Sequence, residues 1–456
     1  MSNERGHWGS RLGFVLAAAG SAVGLGNLWK FPYISWENNG GAFVFIYLIA
    51  VVVLGLPIMI AEILVGRRAQ LSPVPAFERL GGRGWSAVGW LGVAAGAVIL
   101  SYYMVIAGWS LWSFYKCAVW SLTEYDAASL DFDGFLADGW LQVALTAAFS
   151  VMTAGIVMRG IGGGIERATK IMMPVLIAIM LYLVGTALTM DGRDAALEHI
   201  FVPRFSELPP AGVLEAVGQA FFSLSLGLGA MIAYGSYISK KESILRSALW
   251  VVALDTGFAL LAAVGMFTII FSVPGLEERV SGSTVGMLFI TLPDLFYTEM
   301  PGGAVLAPLF FVLVAFAALS STISLGEVVT SLMVDRRGWS RPKATVICSG
   351  TVFVGSILAA LSVGAVAPLS ELELFDGKAG VLATLDHLAA NYLLPLGGLG
   401  TTVFVGWFLG KRNVLEELGL ERPNAPFWIF LWSLRVAAPL AILALLVAVL
   451  AGWDFS

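Results

Sequence analysis

The chain has 456 residues, of which 58% are hydrophobic and only 12% are charged. A soluble domain carries about 25% charged residues, and the mean hydropathy here is +0.85, so the composition excludes a soluble globular protein. The formal net charge of -5 indicates no particular class of partner, and a nucleic-acid partner is not expected.

Eleven apolar segments predict an all-α protein that crosses a bilayer repeatedly. A helix needs about 20 mainly apolar residues to cross a hydrocarbon core roughly 30 Å thick. In chain order, the predicted spans one to eleven cover residues 11–36, 41–66, 87–119, 139–158, 166–190, 211–238, 243–273, 303–334, 343–364, 379–410 and 426–452. The whole chain, 1–456, is therefore interpreted as one transmembrane domain surrounded by lipid.

Span one contains a glycine-rich interruption at residues 21–27 (Ser-Ala-Val-Gly-Leu-Gly-Asn). Its basic and apolar beginning imitates a secretory signal peptide, but the apolar segment continues past the interruption to Pro32. Span six has a similar interruption at residues 223–229 (Ser-Leu-Ser-Leu-Gly-Leu-Gly). Because lipid cannot satisfy unwound backbone, protein, ions, substrate or water must do so. The alternative, close helix packing through small residues, is the interpretation for Gly92, Gly96 and Gly155.

Each interruption leaves two half-helices whose ends face the gap, and each end attracts ions of one sign. An N-terminal helix end attracts an anion, and spare carbonyls at a C-terminal end attract a cation. The interruptions fall in spans one and six, so residues 11–190 and 211–410 are two candidate five-helix repeats, followed by span eleven at 426–452. An odd number of spans inverts the second repeat relative to the first. Inverted repeats with discontinuous helices 1 and 6 are typical of ion-coupled transporters.

The distribution of basic residues predicts the orientation. With the N-terminus in the cytoplasm, nineteen of the 26 Lys and Arg residues lie in cytoplasmic segments and six in outer segments. Positively charged residues accumulate on the cytoplasmic side of membrane proteins. We therefore expect a multi-pass protein of the plasma membrane (cell inner membrane), with a cytoplasmic N-terminus and an outer C-terminus.

The chain contains no pattern typical of an enzyme. There is no His-Glu-x-x-His sequence, and the three histidines are dispersed at His7, His199 and His387. The glycine-rich residues 160–164 lack the P-loop pattern. An intramembrane metalloenzyme and an ATPase are therefore not indicated, and no catalytic residue is assigned.

Four sequence segments carry a family resemblance. They are residues 8–14 (WGSRLGF), 19–32 (AGSAVGLGNLWKFP), 217–227 (VGQAFFSLSLG) and 159–167, with Arg-Gly-Ile followed by Gly-Ile-Glu-Arg. They resemble the neurotransmitter:sodium symporter family, in its bacterial amino-acid transporter branch, from about residue 5 to the end. The resemblance implies sodium-coupled symport of an amino acid by alternating access.

The resemblance also implies two sodium sites, in keeping with the preference of Na⁺ for cages of oxygen ligands. The first comprises the Ala22 carbonyl, Asn27, Ser223, Asp255 and the substrate carboxylate. The second comprises the carbonyls of Gly20, Val23 and Ala317 with the hydroxyls of Ser320 and Ser321. The alternative for the serines is a hydrogen bond back to the preceding helical turn.

Asp255 replaces the asparagine that is commoner in the family. A carboxylate within an apolar helix is costly unless paired, and it marks a candidate functional site. In chloride-dependent members an anion lies near the positions of Tyr47, Gln219, Ser223 and a serine that is Ala259 here. We expect Asp255 to supply that negative charge, so transport should need no chloride.

The resemblance places the substrate beside Gly24, where monoamine carriers have an aspartate. The substrate should therefore bring its own carboxylate, which would meet the amides of Leu25 and Gly26 and the Tyr103 hydroxyl. Its amine would meet carbonyls near Ala22, Phe222 and Ser225. The side chain would be lined by Ser21, Ile99, Phe222, Ser225, Leu228, Ser321 and Leu325. Such a lining favours a neutral, hydrophobic L-amino acid; the alternative for the aliphatic members is ordinary helix packing.

The resemblance implies two gates. On the outer side, Lys30 and Asp386 would lie above Tyr103 and Phe222. On the cytoplasmic side, Arg5 and Asp335 would form a latch beside Trp8. The alternative is that these charged side chains only reach towards the membrane interface.

Two further buried acids complete the candidate residues. Glu62 in span two would brace the unwound part of span six, whereas Glu327 in span eight has no assigned role. The sequence leaves two other functions open on the same scaffold, a sodium channel and an amino-acid-sensing receptor. It does not predict the oligomeric state or the preferred amino acid.

Overall fold

The computed structural model describes residues 6–127, 130–276 and 286–455. Within these ranges, nine continuous helices are long and apolar enough to cross a membrane. They are Gly41–Ala69, Arg83–Leu122, Gly139–Met158, Ile161–Ala187, Ile244–Ser272, Gly303–Arg337, Arg341–Leu361, Val381–Phe408 and Ala425–Leu450. These helices correspond to predicted spans two to five and seven to eleven. Over the described residues, β structure is limited to one bridge, between Glu373 and Ala379.

Span one is broken, as predicted. It consists of two helices, Arg11–Ala22 and Gly26–Glu37, which meet at an angle of 56°. Val23, directly after the first helix, has an extended ψ of 95°. The interruption is confirmed, and it is confined to residues 23–25.

Span six is broken over a longer stretch. The helices Pro210–Ser223 and Ala230–Gly235 contain 14 and 6 residues, so neither crosses a bilayer alone. Between them, Ser225, Gly227 and Gly229 have φ values of 53°, 79° and 72°. Glycine adopts this left-handed region easily, whereas the non-glycine Ser225 is held there by its surroundings. Over the described residues the all-α fold is confirmed: nine continuous helices and the bent span one are long and apolar enough to cross a membrane. The remaining predicted span, span six, is present as two short helices.

Several shorter helices lie between the spans. They are Pro73–Gly81, Phe132–Ala137, Arg193–Phe201, Lys411–Leu418 and the apolar Met287–Thr298. The last is apolar over most of its length but is too short to cross a membrane. Its Phe289 packs among other aromatic rings, stacked at 5.8 Å from Phe132 and 6.0 Å from Phe311. This helix was not anticipated from the sequence, because a search for spans passes over short apolar segments.

The two interruptions face each other in the folded protein. The Ser225 hydroxyl of span six donates a 2.8 Å hydrogen bond to the Ser21 carbonyl of span one. Span eight lies against both span one and span three, and a Cβ on Gly20 would stand 3.1 Å from the Ser320 Cβ. This close approach places the broken part of span one directly beside span eight. The boundaries of the two inverted repeats, 11–190 and 211–410, stay a prediction.

Candidate functional site

A small cavity of about 40 Å³ lies between the two helix interruptions. Twelve of the thirteen predicted substrate-binding residues line it: Ser21, Ala22, Gly24, Gly26, Ile99, Tyr103, Phe222, Ser223, Ser225, Leu228, Ser321 and Leu325. The remaining one, Leu25, lines a neighbouring cavity, although its backbone amide points to Tyr103. Ser324 and Leu394 also line the central cavity. They were missed because neither belongs to a recognised motif.

Three polar side chains meet at one edge of this cavity. The Asn27 Nδ2 donates to Asp255 Oδ1 at 2.8 Å and to Ser223 Oγ at 3.1 Å, and Ser223 Oγ donates to Asp255 Oδ2 at 2.7 Å. Asp255 is fully buried, and both of these partners are neutral. A carboxylate that stays ionised in such surroundings needs a compensating positive charge. The predicted first sodium ligands are therefore brought together in a place that suits a cation.

The amide of Asn27 is oriented towards its neighbours on both sides. Its Oδ1 accepts a 3.1 Å hydrogen bond from the Gly24 backbone amide, while its Nδ2 faces the Asp255 carboxylate. An amide ligates Na⁺ through oxygen. Asn27 must therefore rotate its amide to bind an ion beside Asp255, which frees the Gly24 amide.

The predicted second set of sodium ligands is also assembled. The amide of Gly24, four residues after Gly20, is bonded to Asn27, and the amide of Asn27, four residues after Val23, is bonded to the Gly24 carbonyl. In a continuous helix these two amides would donate to the carbonyls of Gly20 and Val23. Here both carbonyls lack those hydrogen bonds. Such carbonyls are available to a cation.

The two serines of this second set form the bonds that the alternative interpretation predicted. Ser320 Oγ donates to the Ala317 carbonyl at 2.9 Å, and Ser321 Oγ donates to it at 3.3 Å. Ser321 Oγ is also 3.4 Å from the Ser21 carbonyl. A hydroxyl that donates still has lone pairs to offer a cation, so back-bonding and ligation are compatible here.

Gly24 and Gly26 allow the chain to approach two aromatic side chains. A Cβ on Gly24 would lie 2.9 Å from Ser321 Oγ and 3.0 Å from the Tyr103 hydroxyl, and one on Gly26 would lie 2.8 Å from the Phe222 ring. The Tyr103 hydroxyl itself accepts a 3.0 Å hydrogen bond from the Leu25 amide. Backbone amides and a phenol therefore converge at a point where a carboxylate would be recognised.

A larger cavity of about 360 Å³, which we call the vestibule, lies beyond Gly26, Tyr103 and Phe222. These three residues line both cavities and so form the partition between them. Lys30 and Asp386 both line the vestibule, as predicted for a gate. The structure does not bring them into contact: Lys30 Nζ donates to a backbone carbonyl at 2.9 Å, and Asp386 lies beside the Tyr102 hydroxyl.

The opposite end of the site is closed by Trp8. Its indole Nε1 donates a 3.0 Å hydrogen bond to the Tyr234 carbonyl, and its ring packs edge-on against Tyr234 and Phe14. The Asp335 carboxylate accepts a 2.7 Å hydrogen bond from the Ser72 amide. The other predicted member of this latch, Arg5, lies outside the described residues. Trp8 thus joins the segment before span one to the end of span six.

The two other buried acids have defined partners. Glu62 accepts a 2.7 Å hydrogen bond from the Gly227 amide, so it contacts the unwound part of span six as predicted. Glu327 accepts a 2.7 Å hydrogen bond from the Tyr237 hydroxyl and forms an ion pair with Arg341. The basic partner of Glu327 comes from span nine, which sequence analysis did not connect with it.

The surroundings of Ser223 match the positions expected around an anion in chloride-dependent relatives. The Tyr47 hydroxyl lies 3.4 Å from Ser223 Oγ. The side-chain amide of Gln219 is buried, and neither its nitrogen nor its oxygen has a hydrogen-bond partner among the described residues. Ala259 is buried and apolar. Asp255, bonded to Ser223, is the acidic side chain of this region.

Comparisons with known proteins agree over nearly the whole chain. The model of the sodium:neurotransmitter symporter family matches residues 5–129 and 118–454. The uncharacterized sodium-dependent transporter YhdH of Bacillus subtilis is 35% identical over 441 residues, covering 96% of each chain. An uncharacterized sodium-dependent transporter of Methanocaldococcus jannaschii is 33% identical over 437 residues, covering 91% of this chain and 84% of the other.

The fold is also found among solved structures. The crystal structure of MhsT in complex with L-phenylalanine has a TM-score of 0.88 and 39% sequence identity, and the match covers 97% of this chain and 99% of that chain. Such identity over the full length extends the likeness beyond the fold alone. The chain therefore belongs to the sodium:neurotransmitter symporter family, and it is a sodium-dependent membrane transporter rather than an enzyme.

Proposed function

We propose that this transporter carries a neutral, hydrophobic L-amino acid together with two Na⁺ ions and without chloride. One observation carries the proposal: the buried Asp255 is hydrogen-bonded to Asn27 and Ser223, and these two residues line a cavity whose other walls are mainly apolar. A cation site and an apolar solute site thus share one wall. MhsT, whose structure contains L-phenylalanine, supports this class of substrate.

Recognition of the amino acid begins at its charged end. The carboxylate lies against the first sodium ion and accepts hydrogen bonds from the Tyr103 hydroxyl and from the amides of Leu25 and Gly26. Gly24 has no side chain with which to bind the amine, so backbone carbonyls of the two interruptions bind it. A zwitterion satisfies both ends, whereas an amine without a carboxylate leaves the amides unpaired.

The side chain of the amino acid meets Ile99, Leu228, Leu325 and Leu394, which give the cavity its apolar lining. Leu228 lies between Gly227 and Gly229, both with left-handed backbone. Glycine on both sides allows this loop to yield to larger side chains. The site thus selects amino acids with apolar side chains but does not require one particular side-chain size.

Two serine hydroxyls form a small polar area within this apolar lining. Ser21 Oγ donates to Ser324 Oγ at 2.7 Å, and Ser324 Oγ donates to the Ser321 carbonyl at 2.8 Å. Both Ser21 and Ser324 line the cavity. Because these hydroxyls satisfy each other, an apolar side chain beside them leaves no donor unpaired.

Transport follows from alternating access between the two ends of the cavity. In the structure the vestibule is wide, while Trp8 closes the opposite end. With the N-terminus in the cytoplasm, this is an outward-facing arrangement. Sodium and amino acid together favour closure of the partition formed by Tyr103 and Phe222, and binding shifts the population towards the closed state.

The energy available from two ions is sufficient for accumulation. A membrane potential of roughly 100 mV contributes about 2.3 kcal/mol per ion, and a tenfold sodium gradient adds about 1.4 kcal/mol. Two ions that accompany a zwitterion provide roughly 7 kcal/mol. This corresponds to an accumulation limit of about 10⁵-fold.

Uptake by purified protein in proteoliposomes tests the proposal. An inward sodium gradient in chloride-free buffer should drive saturable, electrogenic accumulation of labelled L-phenylalanine or L-leucine. A panel of amino acids should show preference for neutral apolar side chains. A sodium channel would pass current without accumulating amino acid, and a receptor would bind amino acid without flux; either result would refute symport.

A further inference from the structure

The residues that follow span eleven turn back over the vestibule. Trp453 donates its amide to the Ala448 carbonyl at 3.0 Å, and Gly452 has a φ of 94°. This combination is a common way to end a helix and reverse the chain, because glycine tolerates the left-handed backbone. As a result, Phe455 and Asp454 line the vestibule.

A buried asparagine anchors this segment through both atoms of its amide. Asn391 Nδ2 donates to Asp454 Oδ1 at 2.7 Å, and the Phe455 amide donates to Asn391 Oδ1 at 3.0 Å. Asn391 is 1% exposed. The Asp454 carboxylate also forms an ion pair with Lys378 and lies 3.1 Å from His387 Nδ1. Residues 454–455 are therefore attached to span ten and to the loop before it.

The same segment holds the basic residue of the outer gate. Lys30 Nζ donates to the Phe455 carbonyl at 2.9 Å and lies 4.7 Å from the centre of the Phe222 ring. Asp386 faces the same vestibule but contacts Tyr102 instead. The ammonium group of Lys30 is thus held by a neutral carbonyl although a carboxylate lies in the same cavity.

We propose that Asp454 and Phe455 are positioning residues for Lys30, which keep it away from Asp386 and so hold the vestibule open. When the segment detaches, Lys30 is free to pair with Asp386 and the vestibule closes over Phe222. The proposal rests on the outer gate of the proposed function. Residues 454–455 thereby control the rate at which the transporter leaves its outward-facing state.

The proposal is tested by the accessibility of a cysteine placed in the vestibule. Ala383 lines the vestibule, and the two native cysteines, Cys117 and Cys348, are both buried, so Ala383→Cys gives a reporter with low background. The rate of its reaction with a charged thiol reagent is measured in sodium buffer without amino acid. This readout does not depend on which solute is carried.

Release of the segment should slow the reaction of the reporter. Asp454→Asn weakens the attachment to Lys378, and Phe455→Pro removes the amide that Asn391 binds. The double variant should label about threefold more slowly, because exposed ion pairs and single hydrogen bonds shift equilibria by factors of that order. Lys378→Met, which loosens the segment from the other side, should act in the same direction. Trp453→Ala, a change in the adjacent exposed residue, should leave the rate unchanged.

A second background separates positioning from a general structural role. In Lys30→Met the segment has no ammonium to hold, so the same release should change the labelling rate no further. The proposal is overturned if release leaves labelling unchanged in folded protein, or if it slows labelling equally in Lys30→Met. Failure of amino-acid uptake would instead bear on the proposed function, since labelling is measured without amino acid.

Discussion

Asn27 Nδ2 and Asp255 Oδ1 lie 2.8 Å apart although 228 residues separate them in sequence. Asn27 follows the interruption in span one, and Asp255 lies within the continuous span seven. Ser223, at the end of the first half of span six, bonds to both. The two interruptions and a buried carboxylate therefore form one unit, from which the following predictions derive.

Asp255→Asn should make sodium binding weaker in chloride-free buffer. The substitution keeps the size of the side chain but removes the only charge in this cluster of three side chains. We expect the sodium concentration for half-maximal uptake to rise at least tenfold, which corresponds to about 1.4 kcal/mol. The measurement is sodium-dependent uptake in proteoliposomes at varied sodium, with gluconate replacing chloride.

A double variant provides the control for this prediction. Asp255→Asn with Ala259→Ser introduces the residue types that the family resemblance links with chloride dependence. Chloride should then restore part of the lost sodium affinity, whereas the parent protein should not respond to chloride. An unchanged sodium affinity in Asp255→Asn without chloride would contradict the assigned role.

Gly24→Ala should abolish amino-acid binding. Its new Cβ would lie 2.9 Å from Ser321 Oγ and 3.0 Å from the Tyr103 hydroxyl, so the groups that bind substrate and sodium must move. Gly155→Ala is the matched control, since a Cβ there meets nothing within 4 Å; the close packing predicted for Gly155 from the sequence is therefore wrong. Binding of labelled L-phenylalanine to purified protein should be lost in the first variant and retained in the second. Equal binding by both would show that the Gly24 contact is unimportant.

Glu62→Ala should impair the protein more than Glu62→Gln. The Gly227 amide donates to Glu62 at 2.7 Å, and both groups are buried. Glutamine still offers an acceptor oxygen, whereas alanine leaves a buried amide unsatisfied, at a cost of about 1–3 kcal/mol. Thermal unfolding in detergent, together with amino-acid affinity, measures the difference. Similar losses in both variants would mean that the charge, rather than the brace, matters.

Acid should destabilise the packing around His199, which lies outside the membrane spans in helix Arg193–Phe201. Burial, and then the nearby Arg204, lower the pKa of His199 below its usual value of 6.5. The folded state thus favours the neutral ring, so stability is present above about pH 6.5 and falls as pH drops below it. Thermal unfolding between pH 7.5 and about pH 5 should show this loss. His199→Phe should show a smaller dependence, and an identical pH profile would contradict the prediction.

The spans and interruptions were predictable from the sequence because they depend on local composition. Apolar runs of about 20 residues have few alternatives in water, and glycine pairs with hydroxyls mark unwound backbone. Many residues of the central cavity were predictable because they lie within or beside recognisable motifs, whereas Ile99, Tyr103, Ser321 and Leu325 were predictable only through the family resemblance. The helix ends are shifted by a few residues, as in span two, which continues to Ala69.

Contacts between distant segments were not predictable in the same way. Leu394 and Ser324 line the cavity, yet an isolated leucine or serine in an apolar helix carries no signal. The hydrogen bond from Lys30 to the Phe455 carbonyl involves a backbone atom. Every residue has such an atom, so the residue type at position 455 does not indicate the bond. Likewise, the ion pair between Arg341 and Glu327 joins two different spans, and the sequence around either residue does not indicate it.

Sodium dependence of L-phenylalanine binding tests the central claim most directly. In purified protein and chloride-free buffer, the affinity for L-phenylalanine should rise steeply with sodium concentration, because the carboxylate and the first ion bind each other. Phenethylamine, which lacks the carboxylate, should show no such rise. An L-phenylalanine affinity that is the same with and without sodium would contradict a shared site for ion and solute.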